Sequence, residues 1–195
     1  MAFVSAAAQR EPLACWSSVE MWPRTRFTSP IQVVTEPINL REWKAPAGSG
    51  HRGRLFTCGR PGRATHGRAK VTVADEIMDL WASGLPKAEV LHIVSLLGRK
   101  TTGLSEFSYY PFRSVEDEGT KPTFEEWLNQ RYDRRFVIHE FPTVDGRGVP
   151  RDLLDAAGRR ILDCLESGHT TVVIDSAGAE RTARVCESIG YRRPS

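Results

Sequence analysis

Residues 90–97 read VLHIVSLL, an almost unbroken apolar run. A run this short falls well below the length of a membrane span. It suits a strand buried on both faces, and such strands belong to parallel sheets covered by helices on either side. Read as such a strand, this segment asks for helices elsewhere in the chain.

The rest of the sequence supplies them. RLFTC at 54–58 reads as a short strand, closed by the turn GRPG at 59–62. Val73, Ile77, Leu80 and Trp81 recur at helical spacing over 73–83, and Gly84 ends the pattern. Thr123 with Glu126 three residues on forms a capping box for a short helix. RFVIH at 135–139 is a further strand. Pro150 opens a helix to residue 167 with Leu153, Leu154, Ala157, Ile161, Leu162 and Leu165 on one side, and Gly168 stops it. Residues 170–174 then read as a strand and 181–189 as a helix. Strands alternating with helices predict an α/β domain with a central, mostly parallel sheet.

Residues 1–50 differ in character. They carry Trp16, Trp22 and Trp43 and end in the linker-like KAPAGSG at 44–50. Tryptophans favour burial, so this stretch is expected to be an arm that packs on the main domain, residues 51–195, or on a partner.

Bulk properties narrow the function. The chain of 195 residues is 40% hydrophobic and 26% charged, with a net charge of +3. Basic residues are interspersed with acids and form no stripe, which argues against nucleic acid. Cys15, Cys58, Cys164 and Cys186 show neither CxxC nor Cys/His ligand spacing, so no metal and no cofactor is expected. With no signal peptide and no membrane-spanning run, the expected location is cytoplasmic. His92 and His139 lie within apolar strands and read as core histidines; no nucleotide-binding glycine motif is present.

The segment with chemical content is VVIDSAGAERTA at 172–183. A strand runs into a small-residue loop, which runs into a helix. Ligands of open α/β sheets sit at such a position. Successive backbone N–H groups and the helix dipole make an anion cradle there, and a guanidinium such as that of Arg181 grips two oxygens at once. The order Asp175-Ser-Ala-Gly-Ala-Glu-Arg181-Thr182 resembles the phosphate loop of the protein tyrosine and dual-specificity phosphatases, Cys-x5-Arg-Ser/Thr. In that resemblance Asp175 takes the place of the nucleophilic cysteine, Ile174 that of the preceding histidine and Gly178 that of the loop glycine. Arg181 stands for the phosphate-binding arginine and Thr182 for the hydroxyl after it. FPTVD at 141–145 resembles the general-acid segment, with Asp145 as the acid, at a spacing from Asp175 typical of the dual-specificity branch. The likeness covers roughly residues 53–190.

The resemblance implies a dual-specificity-phosphatase-like fold with an N-terminal extension and a shortened C-terminal helical region. It also implies a loop in which Ser176, Ala177, Gly178, Ala179 and Thr182 contact a ligand, helped by Arg147. The phosphatases attack phosphorus with a thiolate. Asp175 cannot, and Glu180 adds another acid beside Arg181. The first reading is a binding or regulatory pseudophosphatase whose Asp175 fills the cradle. The alternative is an atypical enzyme with Asp175 as nucleophile or base and Asp145 or Glu180 as acid; Glu180-Arg181-Thr182 is similar to the Asp-Arg-Thr of the myotubularin and Sac-like branches. A third is chemistry on a neutral or cationic ligand. A laboratory inactivation of a cysteine enzyme is opposed by Ile174, which also departs from the pattern.

The stretch EFSYYPFR at 106–113 leaves the same sheet edge as the loop. Tyr109, Tyr110 and Arg113 are candidates for a recognition rim, with core packing of the rings as the alternative. Since the chain ends soon after Arg181, the face covered by later helices in the phosphatases needs the arm or a second copy, which makes a homodimer an expectation. The expected partner is a phosphorylated or other small polar ligand, or a protein.

Overall fold

The computed structural model describes residues 37, 39–62, 75–99 and 106–193. All belong to one compact unit, Ile31–Ser195. Its strands are β1 (Arg41–Trp43), β2 (Leu55–Gly59), β3 (Val90–Ser95), β4 (Arg135–Glu140) and β5 (Thr170–Asp175). Its helices are α1 (Asp75–Gly84), α2 (Phe124–Asn129), α3 (Arg151–Glu166) and α4 (Glu180–Ser188), with a 3-10 turn at Glu106–Tyr109.

The strands form one sheet in the order β1-β2-β5-β3-β4. β5 pairs in parallel with β2 and β3, β3 pairs in parallel with β4, and only β1 runs antiparallel, against β2. The expected mostly parallel sheet flanked by helices is therefore present. Burial follows from position. β3 and β5 are each flanked by a strand on both sides, and apart from their half-buried first residues they are buried throughout.

Each face of the sheet has its own core. Toward α1 and α2 it is aromatic: Trp81, Phe107, Tyr110, Phe112, Phe124, Trp127 and Phe136 pack with Leu91, Ile93, Val172 and Ile174. Toward α3 and α4 it is mostly aliphatic, with Val94, Leu96, Ile161, Leu165, Val173 and Val185 joined by Trp43 and Tyr191. Tyr110 and Phe112 are thus core residues and not a rim; the side chain of Tyr109 lies outside the described residues. Arg113 is turned to its own loop, where its guanidinium donates to the carbonyls of Lys121, Ser114, Val115 and Asp117.

The boundary at residue 50 falls between two paired strands, because Trp43 belongs to β1. Its ring is buried and its Nε1 donates to Thr57 at 3.0 Å. Lys44 and Arg192 exchange backbone hydrogen bonds, so the segment before β2 closes against the segment after α4. Trp16 and Trp22 lie outside the described residues. One detail of α1 differs from the expectation: Leu80 is exposed, and Met78 takes its place in the core beside Trp81.

Candidate functional site

β5 ends at Asp175 in the middle of the sheet, between the ends of β2 and β3. The loop that follows is forced to turn sharply by Gly178. Its φ is +66°, and a Cβ there would lie 2.2 Å from both Cys58 C and Gly59 N. Only glycine fits, because the loop folds directly onto the backbone at the end of β2. Asn39, which precedes β1, fastens the loop from outside by donating to the Ala177 carbonyl at 2.8 Å.

The Asp175 carboxylate points into this loop. Oδ1 accepts from Ala177 N at 2.7 Å and Gly178 N at 2.5 Å, and Oδ2 accepts from Thr182 N at 3.1 Å. Thr182 is in the first turn of α4, whose N-cap residue Ala179 makes no side-chain cap bond. Asp175 therefore serves as a displaced cap for a helix whose leading N–H groups lack intrahelical partners. It is 2% exposed, so its charge is stabilised by three backbone donors and by Arg181, whose Nε lies 4.0 Å from Oδ2.

Arg181 is 4% exposed and donates from both terminal nitrogens. Nη1 donates to Leu96 O at 3.0 Å, Thr143 Oγ1 at 2.9 Å and Glu106 Oε2 at 3.4 Å, and Nη2 donates to Asp145 at 2.9 Å. Thr143 in turn donates to Leu96 O at 2.6 Å. Glu106 also accepts from Gly98 N at 2.8 Å and lies 3.8 Å from Arg60. Arg60 donates to the Tyr110 hydroxyl at 3.0 Å, which donates to Pro61 O. Burial pushes the Tyr110 phenol up to about 12, so it stays neutral.

The structure thus unites Asp175, Arg181 and Asp145 with the loop residues Ala177, Gly178 and Thr182. Ser176 is half-buried, whereas Ala179 is exposed on the loop's outer side. Glu180 is also exposed and its carboxylate makes no hydrogen bond to another described residue; the acids that join Asp175 at Arg181 are Asp145 and Glu106, not Glu180. Arg147 is exposed on the 145–148 turn, away from any described partner for its guanidinium. Sequence reading missed Asn39, Thr143 and the role of Glu106. Only Glu106 carried a signal, an acid next to an aromatic run leaving the correct sheet edge.

Both Asp175 oxygens already accept hydrogen bonds. Cys58, the thiol beneath Gly178, is fully buried, and burial followed by the Asp175 charge pushes it far above its ordinary value. No protein-family model matches the chain, and no curated protein or solved structure gives a significant match. Among the described residues, no helix is long and apolar enough to cross a membrane.

Proposed function

We propose that this protein is a non-catalytic, phosphatase-like binding module whose anion cradle is filled by its own Asp175. The observation that carries the reading is the set of three backbone N–H groups, from Ala177, Gly178 and Thr182, all directed at one internal carboxylate. Those donors are what an external phosphate would need. An occupied cradle holds phosphate poorly, and the inward commitment of Arg181 removes the forked guanidinium that would clamp it. On this reading the loop is a rigid platform. The exposed Asp145, Arg147, Ala179 and Glu180 around it would meet a protein or another polar ligand.

The same geometry weighs against Asp175 as nucleophile or base. The three hydrogen bonds from Ala177, Gly178 and Thr182 hold the carboxylate in place. A nucleophile also needs a lone pair directed at open space, and Asp175 is buried.

Hydrolysis of an aryl phosphate tests the proposal. Wild type and Asp175→Asn should show no turnover above buffer, and Asp175→Cys should show the first activity of the series. Turnover by wild type that disappears in Asp175→Asn would overturn the proposal in favour of an Asp-dependent enzyme.

A further inference from the structure

A second polar cluster lies on the other side of the sheet, beneath α3. β3 and β4 pair with Val94 opposite His139 and His92 opposite Val137. His92, Val94 and His139 therefore share the face on which α3 packs, and α3 sets Cys164 against them. His92 Nδ1 lies 3.1 Å from His139 Nε2 and 3.3 Å from Cys164 Sγ. The three potential donor atoms all fall within 4.8 Å of one another.

We propose that His92, His139 and Cys164 form a zinc site with one open coordination position. Three arguments carry it. The first is spacing. Zinc bonds of about 2.0–2.1 Å to nitrogen and 2.3 Å to sulfur, at tetrahedral angles, place nitrogens about 3.4 Å apart and nitrogen about 3.6 Å from sulfur. The two separations from His92 Nδ1 need a relaxation of about 0.3 Å to meet those values, and the third pair, His139 Nε2 and Cys164 Sγ, lies within 4.8 Å. The second is hydrogen-bond economy. A single His92 nitrogen faces two polar neighbours, and one lone pair or one proton cannot serve both well. A cation among the three accepts a lone pair from each. The third is donor type. Two imidazoles and a thiolate suit zinc and exclude magnesium and calcium, which require oxygen.

The surroundings hold the donors ready. His169 stacks on His92 with ring centroids 4.5 Å apart and fixes its plane. Arg135 and Arg160 are the cationic neighbours of His92. Arg135 and Arg160 oppose a dication, while Asp163, 4.0 Å from Arg160, offsets part of that charge. On binding, the Cys164 thiol releases its proton to water, the sulfur lone pair goes to zinc, and the metal keeps its 2+ charge. The fourth position is left to water.

The test uses the full chain stripped with a chelator and titrated with cobalt(II), then zinc. Wild type should take up one cobalt per chain with intense four-coordinate bands and a thiolate-to-metal charge-transfer band, and one equivalent of zinc should displace both. Cys164→Ser should abolish the charge-transfer band. His139→Gln should weaken zinc binding on the order of 100-fold. His51→Ala, outside the cluster, should retain the wild-type spectrum. A six-coordinate, thiolate-free cobalt spectrum in wild type would overturn the proposal. Zinc affinity unchanged in His139→Gln would overturn it too, and both of these readings stand even if Cys164→Ser fails to fold.

Discussion

Two helices of this protein begin on a carboxylate, and they could hardly differ more in setting. At α2, Thr123 and Glu126 close a capping box: Glu126 accepts from Thr123 N at 2.7 Å and Thr123 Oγ1 accepts from Glu126 N at 3.3 Å. The whole device spans four residues and faces water. At α4, Asp175 precedes the helix by a loop, is buried, and joins Arg181, Glu106, Thr143 and Asp145 in one network. The chemistry is the same, an oxygen accepting backbone N–H groups. The consequences differ because water can replace the cap at α2 and cannot reach the one at α4.

The most damaging way to probe this difference is through Gly178. Gly178→Ala forces a Cβ into the β2 backbone at a φ of +66°. The expected loss is on the order of 4 kcal/mol or outright failure to fold, measured by urea denaturation. A loss under about 1 kcal/mol would mean the loop does not rest on Cys58 and Gly59.

Asp175→Ala comes next, at about 3 kcal/mol, because two buried N–H groups and one half-buried one lose their acceptor and Arg181 loses a counter-charge. The hole is the size of a small carboxylate. Added formate should therefore raise the melting temperature of Asp175→Ala by more than it raises that of wild type, following the linkage of ligand binding to stability. An equal response in the two proteins would show that no anion site was vacated, and the filled-cradle reading would lose its support.

How much of this was readable in advance follows the same division between local and distant partners. The capping box at Thr123, the stop at Gly168 and the strand at 90–97 depend on neighbours in sequence, and each stands in the structure within a residue or two. The centre of the loop at 175–181 was visible for the same reason, since Gly178 and Arg181 announce a turn and a cation. The partners of Arg181 were not. Leu96 and Glu106 come from the connection after β3, Thr143 and Asp145 from the one after β4, and only the parallel order of β3, β4 and β5 brings them to one place. The cluster of His92, His139 and Cys164 was hidden more completely. Its members are spread over two strands and a helix, with no ligand spacing between any pair, and the alternation of β3 faces is masked by apolar residues on both sides. A spacing rule finds sites carried by one segment; it cannot see a site assembled by register. Trp43 shows the same limit from the other direction. Its neighbours in sequence read as linker, while its contacts are with β2 and the segment after α4.

The smallest effect belongs to the exposed end of the comparison. The Glu126 carboxyl is held below its ordinary value, chiefly by the Thr123 backbone N–H and then by the Thr123 hydroxyl. A carboxyl lowered on folding contributes stability that is fully present above its unfolded value of about 4.3 and is lost as pH falls through the lower folded value. Wild type should therefore be slightly more stable than Glu126→Gln at neutral pH, and thermal melts should show the gap closing below about pH 4. Thr123→Ala, which removes the hydroxyl itself, should cost about 1 kcal/mol at neutral pH. Salt should shrink the contribution of Glu126, because an exposed charge at a helix N-terminus is screened. The formate response of Asp175→Ala should persist at the same salt, since Asp175 is shielded from solvent ions. If instead Glu126→Gln shows the same deficit at pH 3 and pH 7, the carboxylate charge at α2 is not what stabilises that end. The contrast between the two helix starts would then rest on packing, not on electrostatics.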